Sequence, residues 1–288
     1  MIQRRYLIKK ILFGLSSYSL LSIDGNIIRE SPKRKLRHSV ARWCFGALPI
    51  EALIEVCENL GIASIELLDP SEYTVVKRAG LECAMANGSS LHITQGFNNP
   101  DYHDRLLKDY TRLIPQAADH GVQNIICFSG NRRGMKDEDG LKNCAEGLKP
   151  CLELAEKYNV NMHMELLNSK IDHQDYMCDH SSWAFKLAEL LNSPRFKILF
   201  DIYHMQIMEG NIINTMKQNL HYIGHIHTAG VPGRGIFDEN QELNYSGICQ
   251  ALYENGYEGY IGHEFIPPTG LDTGHILQKA IDVCEFNL

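Results

Sequence analysis

Short runs of apolar and β-branched residues recur from residue 39 onward, and stretches with apolar positions at helical spacing separate them. The runs are Ser39–Phe45, Ser64–Leu68, Glu82–Asn87, Asn124–Ser129, Asn161–Leu167, Phe196–Tyr203, Ile223–Thr228 and Tyr260–Ile266. Near-continuous apolarity of this kind fits strands covered on both faces, as in a parallel sheet. Between the first two runs, Ala52, Leu53, Val56, Cys57 and Leu60 mark one face of a helix. Gly61, Gly80, Gly121, Asn159 and Gly256 stand where helices must stop and turn back, a position that favours a left-handed residue. Eight strands alternating with helices predict an α/β fold, a single-domain (β/α)8 TIM barrel over residues 37–288. A doubly wound open sheet is the structural alternative, but no glycine-rich phosphate loop follows the first run.

Four of the later runs reach a metal-capable side chain at or near their C-terminal ends: Glu165, Asp201, His227 and Glu264. In a parallel barrel that end is the rim where chemistry is done. Side chains alternate along a strand, so these four are expected at equivalent heights in one layer, with His163 and His225 a layer deeper as core or supporting residues. Three carboxylates and one imidazole suit a divalent metal ion, Mn²⁺ or Mg²⁺ first, with Co²⁺ or Zn²⁺ as substitutes. Glu165 and Glu264 come from runs three apart around the barrel and so should flank a bound hydroxy-carbonyl substrate from two sides. One carboxylate would take a proton from carbon and the other would return it, through an enediolate. His204 is expected to bind a substrate oxygen, and Arg234, in the loop Ala229-Gly-Val-Pro-Gly-Arg234, to clamp a substrate carboxylate. His92, Lys170 and His173 are candidate pocket residues, and Trp43 and Glu66 candidate wall or floor.

The chain has 288 residues, 44% hydrophobic and 22% charged, enough for one large core. Its net charge of −7 offers no global attraction to nucleic acid. The nine cysteines include no C-x-x-C pair, and Cys44, Cys83 and Cys127 read as small buried hydrophobes. At the N-terminus a basic stretch, Gln3 to Lys10, precedes an apolar run from Ile11 to about Ile23 that is too short for a stable membrane span. Arg4-Arg5 followed by Tyr6 and Leu7 resembles a twin-arginine export signal. Residues 1–36 are therefore expected to be a signal-like extension and the protein periplasmic, or cytoplasmic if the segment is no signal. Export after folding would reconcile an extracytoplasmic address with free thiols. Self-association into a homo-oligomer is left open.

Three strings carry a resemblance: Asp201-Ile-Tyr-His-Met-Gln206; Tyr222-Ile-Gly-His-Ile-His227 with Pro232-Gly-Arg234 and Glu242-Leu-Asn-Tyr245; and Gly262-His-Glu264-Phe265. They resemble the hydroxypyruvate isomerases of the xylose isomerase-like barrel superfamily, and the likeness runs from about Ser39 to the C-terminus. The resemblance implies paired glutamates, Glu165 and Glu264, as acid and base, and metal positions at Glu165, Asp201, His227 and Glu264. It implies interconversion of hydroxypyruvate and 2-hydroxy-3-oxopropanoate (tartronate semialdehyde). Two departures stand out: His227 lies where hydroxypyruvate isomerases commonly carry Gln and ketose 3-epimerases His, and Gly235–Gln241 lacks the family's E-P-G-x-G segment. A ketose 3-epimerase of the D-psicose or D-tagatose type is therefore the alternative. A polyol dehydratase and a non-catalytic sugar-binding barrel come behind it. A DNA-repair endonuclease of the same superfamily would want a richer metal cluster and a basic groove.

Overall fold

Seven of the eight apolar runs form parallel strands in the computed structural model, which describes residues 36–287. These are β1 (Arg37–Ala41), β2 (Ser64–Glu66), β3 (Asn124–Cys127), β4 (Asn161–Glu165), β5 (Phe196–Asp201), β6 (Ile223–Thr228) and β7 (Tyr260–His263). They lie in the order β2-β1-β7-β6-β5-β4-β3, all neighbours parallel. The signal-like extension expected over residues 1–36 lies outside the described residues except for Leu36. Among the described residues no helix is long and apolar enough to cross a membrane.

The run at Glu82–Asn87 does not form a regular strand, yet it occupies the eighth place. It bridges β2 and β3 through isolated pairings, Ser64 with Glu82, Leu68 with Ala86, and Ala86 with Ile125. Its middle leaves the ladder because side chains take over the backbone groups of Ala84. Ser64 Oγ accepts from Ala84 N at 2.8 Å, and Asn124 Nδ2 donates to Ala84 O at 2.8 Å. Backbone bonds resume at Ala86, whose N–H donates to Asn124 O at 2.9 Å. The barrel is thus closed with seven regular strands and one irregular one.

Helices α1 (Ile50–Leu60), α2 (Tyr73–Arg78), α3 (His103–His120), α4 (Asp137–Tyr158), α5 (Ser181–Leu191), α6 (Ile202–Met208), α7 (Ile212–Asn219), α8 (Tyr245–Glu254) and α9 (Thr273–Asp282) accompany the strands. All five expected stop residues, Gly61, Gly80, Gly121, Asn159 and Gly256, have positive φ. Several strands end earlier than their apolar runs. Arg42–Phe45 is a 3-10 turn, and Ile202 and Tyr203 open α6 rather than closing β5. Asp201 ends the strand because its carboxylate caps that helix, Oδ1 accepting from His204 N at 2.9 Å.

Alternation along the strands sorts the interior. Met162, Met164, Ile198, Phe200, Ile226 and Ile261 are buried in the apolar core. Ser39, Glu66, His163, His225 and His227 are buried polar residues on the alternate positions. The inside of this barrel is therefore unusually ionisable, where bulky aliphatic layers are the common filling. None of the nine cysteines is in a disulfide; Cys44 and Cys127 are buried as expected, while Cys83 is only half-buried.

Beside the rim, one ion pair ties the loop after β3 to the loop after β4. Arg132 donates to both oxygens of Asp179, at 2.7 and 3.1 Å, and its Nε reaches Asp137 at 2.9 Å. Burial alone would raise the Asp179 pKa, but the bonds from Arg132, Ser169 and His180 hold it below the usual range. A lowered folded-state pKa means that this stabilisation is complete above the ordinary aspartate range, roughly pH 4, and is lost as the pH falls further. Asp179→Ala should cost about 3 kcal/mol in urea unfolding at neutral pH, because it strands the Arg132 charge. The gap between variant and wild type should shrink below pH 4.

Candidate functional site

Glu165, Asp201, His227 and Glu264 do converge: one ligating atom from each lies within 4.8 Å of the others. All four are buried, at 4%, 1%, 0% and 4% exposure. They do not, however, sit at equal heights in the sheet. Asp201 pairs with His227, but Glu165 pairs with Leu199, two residues earlier in β5. His227 pairs with Gly262, two residues before Glu264. Tilted strands of a closed barrel must be staggered, and the stagger brings residues of different register together at the mouth.

His227 is the centre of the group. Its Nδ1 lies 3.1 Å from Glu165 Oε1 and 3.0 Å from Glu264 Oε2, and its Nε2 lies 2.8 Å from Glu66 Oε1. Glu264 is held from three sides. Trp43 Nε1 donates to its Oε1 at 2.6 Å, and Arg234 Nη2 and the imidazole of His227 meet at its Oε2. The Arg234 contact is 2.5 Å, and the guanidinium is stacked between Trp43 and Tyr203, 5.1 and 5.9 Å from their ring centres. The peptide Val231–Pro232 is cis, Gly233 and Arg234 both have positive φ, and the Arg234 side chain lies over the cluster. Asp201 keeps one oxygen for its helix cap, and Oδ2 has no hydrogen-bond partner.

The electrostatics separate the carboxylates. Burial raises Glu165, and repulsion from Glu264 adds to it against the pull of His227. Burial likewise raises Asp201 to about 7, with Arg234 opposing and Glu264 adding. Burial works in the same direction on Glu264, but Arg234, His227 and Trp43 outweigh it and hold this carboxyl well below its ordinary range. His227 is pushed well above its ordinary value although burial opposes charging it, because Glu264, Glu165 and Glu66 surround it. Glu165 and His227 both move upward despite their contact. Glu264 takes the ion pair, which leaves Glu165 facing a second negative charge.

Of the remaining predicted residues, His204, His173 and Glu66 lie around this centre, while Lys170 and His92 do not join it. His204 is fully buried behind Asp201. Its Nδ1 meets Asn168 Nδ2 at 2.7 Å, and its Nε2, 3.8 Å from Asp201 Oδ2, has no hydrogen-bond partner. His173 stacks edge-on to His204 at 5.3 Å. Lys170 Nζ is engaged elsewhere, donating to the carbonyls of Ile207 and Met208. His92 lies in an exposed bond with Thr94. His163 is buried beside His225, bonded to Asn124. Glu66 is floor rather than wall, buried beneath His227. Sequence reasoning missed Asn168 and Asp172, which hold His204 and Tyr203. Asp172 Oδ2 accepts from Tyr203 at 2.8 Å and from Asn168 at 2.6 Å. They lie in a loop with no period to mark them. A cavity of about 290 Å³ opens at the opposite, N-terminal end, between residues such as Arg37, Lys77 and Glu82. Among the described residues, the groups that could hold a cation lie at the rim and around Glu66, and only His225 of the latter lines this cavity.

A family model described as xylose isomerase-like TIM barrel matches residues 51–285. The chain belongs to the xylose isomerase-like TIM barrel family. Among its family relatives, a human protein is 34% identical over 104 residues, which is 36% of this chain and 38% of that protein, so the chain matches less than half the length of this relative. The Escherichia coli protein named hydroxypyruvate isomerase is 25% identical over 80% of this chain and 93% of its own length. A Pectobacterium atrosepticum protein named 2-oxo-tetronate isomerase is 26% identical over 77% and 88%. In solved structures the xylose isomerase-like barrel of this chain resembles a family 2 AP endonuclease from Brucella melitensis, with TM-score 0.75, 20% identity and coverage of 84% and 96%. It also resembles a D-psicose 3-epimerase from Clostridium cellulolyticum, with TM-score 0.68, 19% identity and coverage of 87% and 100%. At such identities these two structures show the shared fold.

The donor set fits a divalent cation. Three carboxylates and an imidazole share one point, and Asp201 Oδ2 is buried there without a partner. Without a cation, the ionised Asp201 works against folding. Asp201→Asn retains a capping side chain and removes that charge. In chelator-treated protein at pH 8 it should raise stability to urea by at least about 1 kcal/mol, one pKa unit being worth 1.36 kcal/mol. Because the folded-state pKa is raised, wild-type protein under the same treatment should gain stability as the pH is lowered from 8 towards 5, and the variant should gain less.

Proposed function

We propose that this protein is a metal-assisted isomerase of small 3-hydroxy-2-oxo acids, acting first of all on hydroxypyruvate and producing 2-hydroxy-3-oxopropanoate. The observation that carries the reading is a guanidinium, Arg234, stacked over a cluster of three carboxylates and an imidazole at the barrel mouth. A substrate with a carboxylate beside a ketone needs a fixed cation as well as acid–base groups, and Arg234 supplies it. The relatives named hydroxypyruvate isomerase and 2-oxo-tetronate isomerase support the same substrate class.

Glu165, Asp201, His227 and Glu264 would hold the cation, Mn²⁺ or Mg²⁺ by their chemistry. When bound, the cation polarises the substrate carbonyl and neutralises charge that develops on oxygen. The chain's own residues do the rest. Glu264, kept ionised by Arg234, His227 and Trp43, accepts the proton from C3 of hydroxypyruvate. Glu165, whose pKa burial and Glu264 raise, is the group suited to carry a proton to C2 on the other side. The hydroxyl proton on O3 passes to O2, so the ketone becomes an alcohol and the alcohol an aldehyde with no net gain or loss. The rings of Trp43 and Tyr203 face the guanidinium and hold Arg234 inward. His204, held by Asn168, backs Asp201, with its Nε2 3.8 Å from Asp201 Oδ2.

His227 favours a second reading, a ketose 3-epimerase, which would use the same two carboxylates on a neutral sugar. Incubation in D₂O with Mn²⁺ separates the two. Hydroxypyruvate should acquire deuterium on the carbon next to the carbonyl, while D-psicose and D-tagatose should not. Glu165→Gln and Glu264→Gln should each slow that exchange by about 10²–10⁴-fold. Near-normal exchange in either variant would remove that residue from proton transfer. Arg234→Ala should raise KM for hydroxypyruvate far more than for any neutral ketose; equal losses on both would favour the epimerase.

A further inference from the structure

One carboxylate in the barrel interior has no place in the chemistry so far. Glu66, at the end of β2, is fully buried, and its two oxygens are divided between two imidazoles. Oε1 lies 2.8 Å from His227 Nε2, and Oε2 lies 3.0 Å from His225 Nε2. The distances are short but the contacts are not lined up along the ring N–H directions, so neither oxygen and neither Nε2 has an aligned hydrogen bond. The space for this contact comes from Gly262 in β7. A Cβ there would stand 2.3 Å from Glu66 Oε1 and 2.8 Å from His227 Cδ2.

Glu66, His225 and His227 also lie close enough together to suggest a second cation site. A cation there would have to share His227 with the rim site, leaving that ring no proton at all.

We propose that Glu66 is a positioning residue that fixes which nitrogen of His227 faces the rim cluster, and so sets the affinity of that cluster for a divalent cation. The inference rests on the metal-assisted reading above. To ligate through Nδ1, which points at Glu165 and Glu264, His227 must carry its proton on Nε2. Glu66 Oε1 faces that atom at 2.8 Å, and its negative charge favours a proton there and makes Nδ1 a better donor to the cation. His225, on the other oxygen, keeps the carboxylate from rotating away. The nearly isosteric Glu66→Gln keeps the volume but removes the charge, and it can present an N–H where an acceptor is needed.

The test reads metal binding and ring protonation rather than turnover. Mn²⁺ is titrated into chelator-treated wild type and Glu66→Gln, with free Mn²⁺ followed by EPR, and the variant should bind about 10–100-fold more weakly. In parallel, long-range ¹H–¹⁵N spectra of Zn²⁺-loaded wild type with ¹⁵N-labelled histidine should show His227 protonated on Nε2 alone. That measurement stands even if Glu66→Gln fails to fold. Binding by the variant within about threefold of wild type, against the 10–100-fold loss expected of such a supporting carboxylate, overturns the role of Glu66 while leaving the metal reading intact. A proton on Nδ1 of His227 in the loaded protein does the same. Failure of wild type itself to bind Mn²⁺ or Zn²⁺ overturns the metal reading and the role of Glu66 together.

Discussion

Three carboxylates held within reach of one point, out of contact with bulk water, set the terms for everything else at the barrel mouth. Each of them would rather be solvated or neutral. Glu264 escapes by pairing with Arg234, His227 and Trp43, and the cost falls on its neighbours, Glu165 and Asp201, both of which are driven upward. A fold does not keep such an arrangement for stability, since truncated or neutral side chains of similar shape would pack as well. On the proposed reading, a cation and an anionic substrate relieve it.

The barrel enforces this crowding with local devices that have little to do with one another. Asp201 is immobilised by capping α6, which leaves its second oxygen free. Glu264 sits one residue past β7 and is pinned by Trp43 from the turn after the neighbouring strand, β1. Glu165 closes β4, and its backbone carbonyl accepts from Tyr176 in the loop clamped by Arg132 and Asp179. The stagger of the strands then does the assembling. No two of the four are brought together by sequence proximity.

The alternation of apolar runs and helical stretches made the barrel legible, as did the left-handed stops between them, because both follow from local backbone and burial constraints. The four rim residues were legible for the same reason: a charged side chain at the end of an apolar strand has few bland explanations when it recurs on successive strands. Three things were hidden. The irregular third strand owes its shape to Ser64 and Asn124, side chains of other segments that replace its ladder bonds. The unequal register of the rim residues is a property of barrel closure, which no single strand records. Asn168 and Asp172 lie in a loop whose role is set wholly by what it packs against. Glu66 was visible as a floor residue, but its partnership with His227 required knowing that β2 and β6 face each other across the interior.

On the proposed reading, charge balance also orders the events at the mouth. Without a cation, Arg234 and a protonated His227 are the counter-charges of the cluster, and Arg234 is spent on Glu264. Ligation through Nδ1 requires His227 to give up a proton, and a divalent charge beside Glu264 weakens the claim of that carboxylate on Arg234. The guanidinium, still stacked between Trp43 and Tyr203, is then free to turn to an incoming carboxylate. The acid would therefore bind well only after the cation. A neutral sugar would gain nothing from a released guanidinium, so the same coupling would separate oxo acids from ketoses without any difference in the shape of the pocket.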